Sequence, residues 1–403
     1  MVRQSATGTL LTCLLLLWSS HAFALDPTLD INQYAHKSWK IREGFLDGII
    51  TCIAQTPDGY LWLGTELGLF RFDGIRSVPW KSSAAESLPS NYVRSLLVAR
   101  DGTLWIGTLE GLSSFKDGRL TPHTKLAGFT VDALLEDRQG TIWAGGQSMP
   151  YGRLCAVDAN GSAACHGDDG IFGRYVESVY EDHEGNLWVG THRGLWQWKP
   201  EPLRRLAMQE PISGPQSLLE DDNGSLIIRS ELGLTRLIHG KFVKRGSREP
   251  AAVVRMLRDH NGGLWFGIRG KGLLHVHNKG RTDAFTPLDG LSGNSVSAFF
   301  EDREGNIWVA TPGGLDRFRD STVTTISAKQ GLSSDKIWSV LAANDGSVWL
   351  TTRGGLNIIH DGEISHHADT KRDDLITSLF QDDGGRIWAT RIGKPRKNKN
   401  AFS

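Results

Sequence analysis

The chain has 403 residues, with 45 Lys and Arg balanced by 45 Asp and Glu. That balance leaves no net field to draw in nucleic acid or an anionic membrane, so neither is expected as a partner. Gly is abundant at 47 against 14 Pro, and there are 14 Trp, a composition of tight turns in a folded chain rather than of disorder.

Residues 1–24 read as a secretion signal. Arg3 gives a positive start, Thr9 to Trp18 is apolar, and Ala22-Phe23-Ala24 is a small-x-small cleavage site. Such a run is shorter than the roughly 17 residues that span a bilayer, and no later segment is long and apolar enough to do so. The mature chain is expected to be exported, to the periplasm or beyond. Residues 25–45 follow as a leader containing Tyr34, Trp39 and Ile41. A ring of repeats closes best when a segment from one terminus joins the repeat at the other, so the leader is expected on the last sheet of the first ring, near residues 315–328.

From residue 46 one phrase recurs: a Gly turn, an apolar residue, Trp, an apolar residue, Gly-Thr, two variable residues and Gly-Leu. It reads Asp58-Gly-Tyr-Leu-Trp62-Leu-Gly-Thr65 first and Asp101-Gly-Thr-Leu-Trp105-Ile-Gly-Thr108 next. Further copies centre on Trp143, Trp188, Trp265, Trp308, Trp349 and Trp388, and a degenerate one puts Ile227 at the Trp position. Nine copies spaced 38 to 45 residues apart predict an all-β fold, a β-propeller of four-stranded blades. In the second copy the strands are expected at Tyr92–Val98 (a), Leu104–Thr108 (b), Leu112–Phe115 (c) and Arg119–His123 (d), because Asp-Gly turns between apolar runs signal hairpins.

Each Trp is expected to fill the wedge between neighbouring sheets; stacking on sugars is the functional alternative. The fifth blade, with Ile227, is then expected to pack less well. Asp137, Asp182, Asp221, Asp302 and Asp382 each open an Asp-x-x-Gly, where a carboxylate accepts N–H bonds of its own turn. The alternating oxygen ligands of a calcium loop are missing.

The third copy departs after Gly145-Gly146. Strand c is expected through Cys155 to Val157 and strand d from Ser162 to Cys165, around a loop at Ala159-Asn160-Gly161. That register sets Cys155 opposite Cys165, near disulfide geometry, and an exported chain would keep such a bond; two free thiols are the alternative. Cys52 is expected to stay a buried thiol.

The copies resemble the two-component regulator propeller repeat, found in periplasmic sensor regions of bacterial signalling proteins. The stretch from Gln33 through Ser38-Trp39, followed by Ile53-Ala-Gln-Thr-Pro-Asp-Gly-Tyr-Leu-Trp62-Leu-Gly-Thr65, is similar to the start of those sensors. The resemblance implies two seven-bladed propellers, then an immunoglobulin-like domain, a membrane helix and a cytoplasmic histidine kinase or diguanylate cyclase. It favours one closed ring over residues 46–328, with two further blades, the second incomplete, over residues 329–390. Closure by eight repeats is the other partition. After Trp388-Ala-Thr390 the phrase breaks off into a basic stretch, residues 391–403, expected to be a disordered tail rather than a nucleic-acid arm. The chain thus reads as a truncated or frame-shifted sensor without its output domain.

Strand a supplies Arg94, Asp132, Glu177 and Gln216 at one equivalent position, each followed by a small residue, Ser95, Ala133, Ser178 and Ser217. The sixth blade departs, with Val254 there and Arg255 next. The b–c turns add Glu66, Glu110, His192, Arg193, Glu231, Arg269 and Lys271. Of these, Arg94, Asp132, Glu177, His192, Arg193, Gln216 and Arg269 are the candidates for binding a small polar ligand such as a glycan fragment; mutual pairing around a water-filled channel is the plain alternative. No zinc, serine-hydrolase, phosphate-loop or Cys-x-x-Cys signature is present, the His residues look scattered, and neither catalytic residue nor metal nor cofactor is expected. The expected function is non-catalytic ligand sensing coupled to a signalling output domain or protein. An exported lectin or polysaccharide lyase or hydrolase is the alternative.

Overall fold

The computed structural model describes residues 25–81, 87–158, 161–199, 203–206, 215–230, 233–244, 252–278, 280–321, 323, 325–367 and 375–392. The expected signal at 1–24, the hairpin residues Ala159 and Asn160, Glu231, and residues 393–403 lie outside these. Two compact units are present, Met1–Ser321 and Thr322–Ser403. Among the described residues no helix is long and apolar enough to cross a membrane.

The first unit is seven four-stranded antiparallel sheets. Their innermost strands are Ile50–Gln55, Val93–Val98, Thr130–Glu136, Val176–Glu181, Ser217–Glu220, Val253–Arg258 and Ala298–Glu301. Each touches the next, and the seventh touches the first. Seven apolar clusters fill the seams, one between each pair of successive sheets. The residue at the repeated Trp position supplies each seam: Trp62 joins the cluster with the second sheet, Trp105 the third, Trp143 the fourth, Trp188 the fifth, Trp265 the seventh and Trp308 the first. All six are buried. Ile227 takes the same place in the fifth blade and is 1% exposed, though the cluster it joins is the smallest of the seven.

The seventh sheet is completed by the leader. Ala35–Lys40 pairs antiparallel with Gly314–Arg319 as its outermost strand. Trp39 then stacks on Trp308 at 5.5 Å and meets the edge of Phe72 in the first blade at 5.2 Å.

The Gly two residues after the Trp is a close-approach requirement. A Cβ on Gly64 would sit 2.7 Å from Val93, one on Gly107 2.7 Å from Val131, and one on Gly267 2.6 Å from Val296. The next blade's inner strand therefore passes too near for any side chain there.

The acidic pairs that end strand a have divided duties. Asp137, Asp182 and Asp302 each accept two or more N–H groups of their own turn with one oxygen and the indole N–H of Trp143, Trp188 or Trp308 with the other. Asp259, not noticed in the sequence, does this for Trp265 at 2.8 Å. In the fifth blade, where Ile227 offers no N–H, the Arg236 guanidinium donates to Asp221 instead. The preceding Glu serves the other neighbour: Arg100, Arg138 and His183 donate their backbone N–H to Glu136, Glu181 and Glu220 of the following blade. His260 donates to Glu301 and Arg303 to Gln55 in the same manner. One rim of the ring is laced together by this device.

In the third blade, strands c and d run Tyr151–Val157 and Ala163–His166. Cys155 faces Cys165, and the two sulfurs are bonded.

The second unit holds a four-stranded sheet, Ile337–Ala342 to Glu363–His366, and a two-stranded one, Leu375–Gln381 with Ile387–Ile392. Two expectations change here. Trp388 is 48% exposed rather than wedged in a core, since the described residues of its sheet comprise only two strands. Arg391 and Ile392 belong to a strand instead of to a disordered tail, because they pair with Ile376 and Leu375.

Candidate functional site

The seven inner strands surround a cavity of about 850 Å³. Its shape begins with a backbone irregularity. In five blades strand a carries an extra residue between two paired positions, at Thr51, Arg94, Asp132, Glu177 and Val254. A bulge of this kind re-aims a side chain without ending the strand, and all five of these residues line the cavity. Gln216 lines it from the corresponding place in the fifth blade, and Ser297 in the seventh.

Neighbouring strands are tied by short donors beside the bulge. Thr51 Oγ1 donates to the Val93 carbonyl at 2.6 Å, Ser95 to Val131 at 2.9 Å, Ser178 to Pro215 at 2.6 Å and Ser297 to Ile50 at 2.6 Å. In the sixth blade Arg255 occupies that register and its Nε donates to the Ser297 carbonyl at 2.7 Å. Ala133 in the third blade has no hydroxyl to give.

Charge in the cavity is uneven. Arg94, Arg229, Arg255 and Arg269 face two carboxylates, Asp132 and Glu177. Arg94 Nε donates to Asp132 Oδ1 at 2.8 Å, which overcomes burial and holds the guanidinium more firmly protonated than usual. Burial, with Arg94 close by, instead pushes the Arg255 guanidinium down. Cys52 also lines the cavity; it is half-buried rather than buried, and desolvation pushes its thiol up to about 12.

Of the seven sequence candidates, Arg94, Asp132, Glu177, Gln216 and Arg269 are brought together here. His192 and Arg193 are not. They sit in the exposed b–c turn of the fourth blade, where the Arg193 carbonyl accepts Arg205 Nη2 at 2.8 Å and the His192 ring lies 5.0 Å from that of Tyr175. Arg269 lines the cavity from the equivalent turn of the sixth blade, so the turn position alone does not decide which side chains reach it. Arg229 was missed. It occupies the position that is Gly in most blades, and an Arg at a site too crowded for Cβ elsewhere was the available signal.

A second polar cluster lies away from the axis, under the leader. His275 lies in strand c of the sixth blade, Gly272–Val276, with His277 just past its end, and Asp283 pairs across from His275. In the sequence this His-x-His stands out only as two of 13 scattered histidines.

Four segments, residues 44–66, 87–110, 170–193 and 290–313, match the two component regulator propeller family. These fall on the first, second, fourth and seventh blades, so the chain carries that repeat. No curated protein matches the chain by sequence. Among solved structures, the extracellular domain of a hybrid two component system from B. thetaiotaomicron aligns with TM-score 0.68 at 20% identity, covering 88% of this chain and 52% of that one. A second such domain from the same organism aligns with TM-score 0.58 at 18% identity, covering 89% and 51%. Virginiamycin B lyase from Staphylococcus aureus aligns with TM-score 0.55 at 14% identity, covering 73% and 100%. The chain thus spans about half the length of the two-component domains it resembles, and at these identities the likeness is one of fold.

Proposed function

We propose that this chain is the sensing part of a bacterial two-component signalling protein, a non-catalytic exported propeller whose axial cavity takes a small anionic ligand. Its propeller repeats and its likeness to extracellular two-component domains support the sensor role. The single observation that carries the ligand class is four arginines against two carboxylates around one axial cavity. An acidic glycan fragment fits: its carboxylate or sulfate would meet Arg255 and Arg269, while Gln216 and the serine hydroxyls meet ring hydroxyls. Ligand binding that draws blades together about the axis would pass to a signalling partner through the rim.

Isothermal titration with uronate-containing, sulfated and neutral oligosaccharides tests this reading. Acidic sugars are expected to bind and neutral ones not, and Arg255→Ala is expected to weaken binding at least tenfold, the scale of a lost bond to a charged group of about 1.5–3 kcal/mol. Preference for neutral sugars would overturn the ligand class. Turnover of an acidic sugar to a cleaved product would overturn the non-catalytic reading in favour of a lyase.

A further inference from the structure

We infer that His275, His277 and Asp283 form a binding site for a divalent transition-metal ion, seated where the leader crosses the sixth blade. The nitrogen and oxygen donors of the three side chains lie within 4.8 Å of one another. Both imidazoles are buried, at 2% and 5% exposure.

Among the described residues, the hydrogen bonding leaves both nitrogens of His275 and one oxygen of Asp283 unpartnered. His277 Nδ1 lies 3.0 Å from the Pro27 carbonyl, so it carries the proton, and the acceptor Nε2 lies between Arg281 Nη2 at 3.3 Å and Asp283 Oδ2 at 3.1 Å. That same carboxylate oxygen already accepts the Ile31 N–H at 2.7 Å. His275 stacks against Trp265 with centroids 4.3 Å apart. Its Nδ1 stands 3.6 Å from Asp283 Oδ1 and its Nε2 3.7 Å from Asp259 Oδ2, both beyond hydrogen-bond reach. His275 Nδ1 and Nε2 and Asp283 Oδ1 are buried without a hydrogen-bond partner, an arrangement that buried polar atoms rarely tolerate. A void of about 10 Å³ lies against both imidazoles, bounded by Pro27 and Tyr34.

A cation between these side chains would satisfy His275 Nδ1 and Asp283 Oδ1, leaving His275 Nε2 to carry the proton toward Asp259. Two imidazoles and a carboxylate form a donor set that suits zinc and related first-row ions, with metal–ligand distances near 2.0–2.2 Å. Contraction of the three donors to roughly 3.4 Å apart suffices. The Pro27 carbonyl would act as the outer partner that fixes the His277 tautomer, a usual companion of metal-bound histidine. Asp259 and Asp30 add negative charge nearby, and Arg281, whose Nη2 an incoming ion would displace from His277 Nε2, keeps its pairing with Asp30 through Nη1 at 2.8 Å. Because Pro27 and Ile31 belong to the leader, the bound ion would pin the leader to the ring.

The test uses the untagged full chain, stripped with chelator and dialysed against Co(II) or Zn(II). One equivalent should bind, Co(II) should develop visible d–d bands of a nitrogen–oxygen site, and the melting temperature should rise with metal concentration. His275→Gln and His277→Gln should each weaken binding at least tenfold, while the His366→Gln/His367→Gln double variant leaves it unchanged. Absence of stoichiometric binding to folded wild type would overturn the site and leave a protonated histidine as the occupant of the contact. Undiminished binding in the His275 and His277 variants, or loss in the His366/His367 variant, would overturn it too. Should those single variants fail to fold, Asp283→Asn and the wild-type Co(II) spectrum decide the matter alone.

Discussion

Replacing Asp182 by alanine isolates the bond that ties a turn to the Trp of its own blade. One Asp182 oxygen accepts the N–H groups of Glu184 at 3.0 Å and Asn186 at 2.8 Å, and the other accepts Trp188 Nε1 at 2.7 Å. Alanine removes all of these. The turn N–H groups lie at the rim and recover water, but the indole N–H is enclosed between the fourth and fifth blades. An unpaired buried donor costs about 1–3 kcal/mol, and with the weakened turn the total is expected near 2–4 kcal/mol. For a ring of this size that is a melting-temperature drop of about 3–6 °C. The decisive comparison is a double-mutant cycle with Trp188→Phe, which keeps an aromatic ring and removes the N–H. In that background Asp182→Ala should cost about 1–2 kcal/mol less. Asp221→Ala should also cost less, since its blade has Ile227 and loses only the turn bonds and the contact to Arg236. Thermal melts followed by near-ultraviolet circular dichroism measure all four proteins of the cycle and the Asp221 control. Equal cost of Asp182→Ala in both backgrounds would show that the carboxylate acts on the turn alone, and would refute the reasoning.

Thiol titration of the denatured, unreduced chain lacking residues 1–24 should find one free thiol, Cys52, and finding three would reject the Cys155–Cys165 bond. Reduction should destabilise the outer hairpin of the third blade by about 2–3 kcal/mol, the scale for a loop this short, with the ring persisting. Cys52 in the folded protein should react with iodoacetamide at pH 8 at least about a hundredfold more slowly than free cysteine, because desolvation raises its thiol to about 12; a comparable rate would contradict that desolvation. Burial resists ionisation of Asp137, yet the Trp143 indole and Lys199 together hold its carboxyl below the usual range. Its contribution is therefore present above about pH 4 and lost as pH falls through the lower folded value. Lys199→Ala should flatten the fall of urea midpoint between about pH 5 and pH 3, and an unaltered slope would show that Lys199 does not matter to it.

Strands b were legible almost to the residue: Leu104–Thr108 is expected and observed, because the apolar run between two Gly turns leaves no other register. Outer strands were less so. The fourth blade's strand d is only Arg204–Arg205, a pair with no apolar pattern to announce it. Asp-x-x-Gly signalled a turn, but the partner of each preceding Glu lies in another blade and cannot be read along the chain. Facing of Cys155 and Cys165 came from counting within one hairpin, where register is local. At the axis, a single position per repeat foretold Arg94, Asp132, Glu177 and Gln216, because strand a is innermost in every blade. Arg229 and the His275 cluster escaped since each depends on a departure from the repeat rather than on the repeat itself.

The pairing of Ala35–Lys40 with Gly314–Arg319 also sets an order of events. The first strand among the described residues belongs to the seventh sheet, so it has no partner until the seventh repeat exists. Earlier sheets are built from consecutive hairpins and can form as they emerge. Throughout that time Trp39 has no Trp308 to stack on and remains an exposed adhesive surface. Closing so long a loop adds little to the equilibrium cost, which grows only with the logarithm of length, but contacts this distant form slowly. At about 5–20 residues per second, on the order of 15–55 s separate the emergence of residue 40 from that of residue 314. The final seam therefore depends on whatever keeps that segment unattached while the rest of the ring is made.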